Sequence, residues 1–205
     1  MTEQASARHR AVRAASSLLI AGGALFLVFS GASIARAAIA RDAARSHWVD
    51  LEAGRAVAGA RSRVDGSSGW STARGTPVAR LIIPRLGLDE VVVEGVSDDD
   101  LRAGPGHMTG SALPGDAGNA VISAHRDRHF FPLGRIAVGD TIITESDGGR
   151  VTWRVARLRV VDADAAVLHT SATPLLTLTT CWPIRYFGPA PERLIVEATR
   201  LSFSE

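Results

Sequence analysis

From Ala14 to Ala35 the chain carries no charged side chain, and this run restricts its fold more than any other feature. Its centre reads SSLLIAGGALFLVFSGASIA. A polar backbone in hydrocarbon must satisfy its own hydrogen bonds, so such a run crosses a bilayer as a helix. Twenty-two residues in a helix reach about 33 Å, enough for the hydrocarbon core. Arg13 and Arg36 bracket the run, and Arg8 and Arg10 precede it. Positive charge beside a first span favours the cytoplasmic side, so the N-terminus is expected inside and everything after the span outside. A cleaved signal peptide is the alternative, since ARAAIA offers small residues to a peptidase. Either way residues 41–205 are expected outside the cytoplasm. The expected organisation is a basic cytoplasmic N-terminus (1–13), a transmembrane helix acting as signal anchor (14–36), a stem and flexible linker (37–77), and a separate domain (78–205).

The stem stretch ARDAARSHWVDLEAGRAVAGA is rich in Ala and Arg and reads as a helix leaving the membrane. DGSSGWSTARGTP then reads as a flexible tether. Trp48 and Trp70 are placed either at the membrane interface or in local packing. All 23 basic residues are arginine. Residues 1–77 carry 10 of them against 5 acids, whereas residues 78–205 carry 13 against 16 acids. The basic excess therefore lies outside the domain, which argues against nucleic acid as a partner. A single cysteine, Cys181, excludes an internal disulfide framework.

From Val78 the pattern becomes short apolar, β-branched runs separated by turn residues. VARLIIP, LDEVVVEG, NAVISAH, DTIITES, RVTWRVARLRVV, LLTLTTC and RLIVEATRL are the candidate strands. LPGDAG, SDGG and GPAP are turn signals between them. Seven or eight strands in such a length predict an all-β domain, a closed or nearly closed barrel or else a sandwich. HFFPLGRI and DDDLRAG each suit one short turn of helix.

Cys181 ends LLTLTTC and Arg193 opens the next strand-like run. If the two runs pair antiparallel, the end of one lies beside the start of the other, so thiol and guanidinium meet at one rim of the sheet. A cation favours the thiolate and can stabilise an oxyanion on an attacked carbonyl. An acid–base partner is still needed. His9 precedes the span and His47 lies in the stem. His125 closes NAVISAH, a placement like that of Cys181, but position prefers it only weakly over His107 and His129. The competing reading is a small buried cysteine with no chemistry.

TLTTC resembles the sortase signature TLxTC, with Thr177, Leu178, Thr180 and Cys181 at the matching positions. GPGHMTGSALPGDAGNAVISAHRDRHFFPLGRIAVGD is similar to the long sortase stretch around the catalytic histidine, and the second histidine of that stretch selects His125. Arg193 follows Cys181 by 12 positions, where sortases carry their catalytic arginine. The CWPIRYFGPAPER loop most resembles the Gram-negative-type sortases, class GN. Ser123-Ala124 precede the histidine where Gly usually stands, and Trp182 replaces a more usual tyrosine.

This resemblance implies a closed eight-stranded barrel and a cysteine transpeptidase with Cys181, His125 and Arg193 as the catalytic set. It implies that Thr180 and Trp182 line the substrate pocket. The partners would be exported proteins with an LPxTG-like C-terminal sorting motif and an amine acceptor, a peptidoglycan precursor being one. No cofactor is implied, and the acidic run Asp98–Asp100 is expected to open a helix rather than hold a metal. Two rivals remain: a peptidase that passes the same acyl-enzyme to water, and a tethered, non-catalytic β-domain that binds exported proteins with Cys181 buried and inert.

Overall fold

The computed structural model describes residues 2–58, 73–147, 149–167 and 169–201. Most of the tether, with Trp70, lies outside the described residues. Helix α1 runs from Thr2 to Ala58. Ser16–Gly54 within it is long and apolar enough to cross a membrane, and its apolar window is wholly unburied. Leu18, Ile20, Leu25, Phe26, Phe29 and Ile34 all project into the surroundings. A helix apolar on every side suits a membrane span or the core of a large protein. The stem helix expected after the span is present as far as Ala58.

The chain falls into two compact units, 1–39 and 40–205. The second holds eight strands: β1 Pro77–Ile83, β2 Leu88–Glu94, β3 Gly106–His107, β4 Asn119–Ser123, β5 Thr141–Ser146, β6 Gly149–Asp162, β7 Leu175–Trp182 and β8 Glu192–Arg200. They close into a barrel in the order β1-β2-β3-β4-β7-β8-β6-β5, and pairing of β1 with β5 completes the ring. The choice between barrel and sandwich is thereby resolved. Two neighbouring pairs are parallel, β2 with β3 and β4 with β7; the others are antiparallel. A parallel pair needs a long crossover, and β5 and β6 lie within the one that joins β4 to β7.

Alternation along the strands fills the interior with Leu81, Ile83, Val92, Ile122, Ile142, Leu176, Leu178 and Val196, all fully buried. Trp153 adds the largest buried ring, and its indole N–H donates to Thr144 Oγ1 at 2.8 Å, which satisfies the one polar group it carries inward. Phe130 and Leu133 plug the same core from the segment after β4, next to the 3-10 turn Phe131–Arg135. The acidic run Asp98–Asp100 opens helix α2, Asp98–Ala103, where Ser97 and Asp100 form a capping box. Seven of the eight strands match the apolar runs. The eighth, β3, has two residues and cannot show alternation.

Trp48 is buried, packed with Ala44 against Val91 and Val93 on the outer side of β2. Local packing, not the membrane interface, is therefore its place.

Candidate active site

Three adjacent strands end together. In the parallel pair, Ser123 of β4 is level with Thr179 of β7. The pairing continues past the end of β4: Ala124 N–H donates to Thr179 O at 3.2 Å, and Thr180 Oγ1 donates to Ala124 O at 2.7 Å. The next step brings His125 level with Cys181. In the antiparallel pair, Cys181 is directly opposite Arg193. By register Cys181 thus falls between His125 and Arg193, with its direct partner Arg193 about one strand spacing, ~4.8 Å, away.

Parity puts all three on one face. Ala120, Ile122 and Ala124 of the β4 run, Leu176 and Leu178 of β7, and Leu194, Val196 and Ala198 of β8 belong to the barrel core. Odd-numbered neighbours on each run face outward. His125, Cys181 and Arg193 are odd on all three, so they line the outer surface. Cys181 is exposed, while His125 and Arg193 are half-buried. An exposed thiol removes the basis of the inert, buried-cysteine reading.

Arg193 is held rather than free. Its Nε donates to Ala163 O at 2.6 Å, and Ala163 N–H donates to Pro191 O at 3.2 Å. Among the described residues no carboxylate pairs with Arg193.

The other histidines have different surroundings. His107 is buried, with Nδ1 at 2.6 Å from Glu94 Oε2 and Nε2 at 2.9 Å from both Ala112 O and Ser111 Oγ. His129 is buried with Nδ1 at 3.5 Å from Glu90 Oε2. Each is enclosed beside a glutamate away from the thiol row. His125 instead opens on a surface cavity of about 260 Å³ shared with Asp98, Arg102, Asp127 and Arg128.

Of the two expected pocket residues, Thr180 is buried and serves as the tie between β4 and β7. Trp182 has the inward parity and packs partly against the barrel core, so its ring is turned to the face opposite the thiol. Arg126 was not singled out by sequence reasoning. It donates to three carbonyls of the β7–β8 loop, Pro183 at 3.2 Å, Tyr186 at 3.2 Å and Gly188 at 2.7 Å, and lies over the Tyr186 ring. Its position directly after His125 was the only signal. No ion pair joins Asp127 to Arg126 or Arg128 among the described residues.

A second cavity, about 500 Å³, lies between the β3–β4 loop and the segment before β7, lined by Ser111, Ala112, Gly118, Asn119, His169 and Ser171 among others. Asn119 is paired with Leu175 at the beginning of the two parallel strands, six residues before His125 and Cys181. That separation is about 20 Å along the strands.

Comparison with known proteins bears on the family. The family model described as the Sortase domain matches residues 81–201. Sortase D of Bacillus subtilis (strain 168) is 35% identical over 124 residues, 60% of this chain and 63% of the relative's length. The chain therefore spans less than two thirds of that relative. Among solved structures, a Clostridium perfringens Sortase D5 transpeptidase superposes with a TM-score of 0.57 at 26% identity, covering 63% of this chain and 81% of that one. The catalytic domain of B. anthracis SrtD gives 0.56 at 33% identity, covering 69% and 97%. Streptococcus agalactiae sortase C1 gives 0.57 at 29%, covering 64% and 70%. These relatives are of the D and C types; none of them is of the Gram-negative type expected from the loop after Cys181.

Proposed function

The chain belongs to the sortase family, and from that membership we propose that it is a membrane-anchored cysteine transpeptidase acting on exported proteins. The observation that carries the reading is the row His125–Cys181–Arg193 across three adjacent strand ends, with the thiol exposed. Cys181 attacks as the thiolate, with His125 as imidazolium beside it. The Sγ–C bond forms at the threonyl carbonyl of an LPxTG-like motif, and Arg193 bears the oxyanion. The peptide C–N bond then breaks as His125 gives its proton to the departing amine. An incoming amine attacks the thioester, His125 takes the amine's proton, and the thiolate leaves. The thioester keeps the acyl group activated for this transfer.

The cavity at Asn119 lies beyond the four motif residues on the acyl side of the attacked carbonyl. An extended chain covers about 3.3–3.6 Å per residue. A peptide with its reactive carbonyl at Cys181 therefore reaches that cavity after about six residues. Helix α1 supplies the anchor, with Arg8, Arg10 and Arg13 on the cytoplasmic side and the barrel outside. The acceptor is an amine at the cell surface, a peptidoglycan precursor being one that fits; without it the same thioester passes to water.

The test is to incubate the detergent-solubilised chain with quenched LPxTG-type peptides and follow Cys181 by mass spectrometry. A thioacyl adduct on Cys181 that needs His125 and is discharged by an added amine is the expected result. Absence of an adduct on every peptide, with a thiol unreactive toward small alkylating agents in the folded state, overturns the reading.

A further inference from the structure

From Ala40 onward, helix α1 belongs to the same compact unit as the barrel. Arg41, Ala44, Arg45 and Trp48 recur at the spacing of one helix face. Ala44 and Trp48 are the buried part of that face, against Val91 and Val93. Arg41 and Arg45 both reach Glu90: Arg41 Nη2 makes an ion pair with Oε1, and Arg45 Nη2 lies 4.0 Å from Oε2. Arg45 also donates to Asp89 O at 3.2 Å.

Glu90 is only 8% exposed. A carboxylate so enclosed is costly unless paired, and its third partner is His129, 3.5 Å from Oε2. His129 lies four residues after His125 in a tight turn. Arg128 N–H donates to His125 O at 3.3 Å and Phe130 N–H donates to the same oxygen at 3.2 Å. Phe130 is fully buried in the barrel core. The backbone of His125 is thus fixed by a loop with two anchors, Phe130 in the core and His129 on Glu90. Through Glu90 the second anchor is joined to the stem helix.

We propose that Glu90 and His129 are positioning residues for His125, and that Arg41 of the stem helix completes the joint, so that docking of this helix on β2 sets the geometry of the acid–base group. The proposal rests on the reading of His125 given above. Glu90 and His129 touch neither substrate nor reacting atoms; they act through the 125–130 turn.

The experiment uses the full chain in detergent and two readouts, one independent of catalysis. Amide exchange at Arg128 and Phe130, the two N–H groups bonded to His125 O, reports the turn. Steady-state kinetics on a cleaved peptide separates kcat from KM. For Arg41→Ala, loss of an ion pair worth about 1 kcal/mol predicts about fivefold faster exchange at those amides and a kcat reduced about fivefold, with KM unchanged. Glu90→Gln is expected to exceed it, the double variant to fall no further than Glu90→Gln alone, and His129→Gln, which keeps a donor, to retain most of kcat. Unchanged exchange at Arg128 and Phe130 in Arg41→Ala overturns the proposal, as does a change spread evenly over all barrel amides. Faster exchange with kcat intact overturns the positioning role. If the unaltered chain forms no thioacyl adduct, the reading of His125 fails, and the positioning role falls with it. The exchange arm still decides whether the helix holds the turn.

Discussion

At the level of single residues, the site depends on ties that carry no chemistry of their own. The hydroxyl of Thr180 bridges the ends of β4 and β7, one residue before both Cys181 and His125. Thr180→Val keeps the shape and leaves Ala124 O without its partner, a loss of about 1–3 kcal/mol. The thermal midpoint is expected to fall by roughly 2–4 °C per kcal/mol and kcat to fall with it, while Thr180→Ser restores most of both; calorimetry and the peptide assay check this. In the proposed reaction Arg193 carries more. A positioned oxyanion donor is worth about 2.7–4 kcal/mol, so Arg193→Ala is expected to lower kcat about 100- to 1000-fold with the fold intact by circular dichroism. Arg126→Ala releases three carbonyls of the β7–β8 loop. It is expected to raise KM several-fold and leave the rate of Cys181 alkylation unchanged.

The juxtaposition of Cys181 and Arg193 was legible in the sequence because two apolar runs ended and began at those residues, and antiparallel pairing does the rest. The choice of His125 came only from the resemblance, since its position in the chain preferred it weakly. His107 and His129 look similar in a string of letters, and only the fold shows each of them beside a buried glutamate. Trp182 was assigned to the pocket from the resemblance, although alternation turns it inward.

Among elements, the long apolar runs announced themselves and the short strand did not. β3 exists because β2 and β4 need a neighbour between them, and its sequence shows close approach rather than alternation. A Cβ on Gly106 would lie 2.1 Å from the backbone oxygen of Gly95. Gly106→Ala is therefore expected to force β2 and β3 apart at a cost of about 3 kcal/mol. A midpoint unchanged in thermal unfolding would show that the strand can shift freely. The joint between the stem helix and the His125 turn was equally hidden. Arg41 and Glu90 are 49 positions apart, and nothing local in either segment points to the other. The tether reading lies outside the described residues, whereas the stem helix followed from its Ala- and Arg-rich composition.

For the whole molecule, three carboxylates link folding to pH. Asp140 is held well below the usual carboxylate range, first by the paired hydrogen bonds from Arg85 and also by Ala137 N–H. Asp89 is lowered chiefly by its bonds from Arg80. Burial alone would raise Asp100, but hydrogen bonds from Ser97 and Arg74 outweigh it and the net direction is down. A carboxylate lowered by folding adds stability that is fully present above its unfolded value, about 4, and is lost as pH falls through the folded value. The thermal midpoint of the chain is expected to decline below about pH 4, and Asp140→Asn to lower the midpoint at pH 7 while flattening that decline. A midpoint that holds to pH 3 would show these pairs to be without consequence.

The order of the strands also has a meaning in time. β8 enters the barrel between β7 and β6, and β7 itself follows the long crossover. Chains emerge from synthesis and export N-terminal end first. Helix α1 and β1 to β6 have therefore emerged before Arg193 has a place to go. Until that last strand slides in, Cys181 has a neighbour on one side only. On the proposed reading, the nascent chain therefore carries His125, Cys181 and Arg193 as an unassembled row until nearly every other residue has arrived.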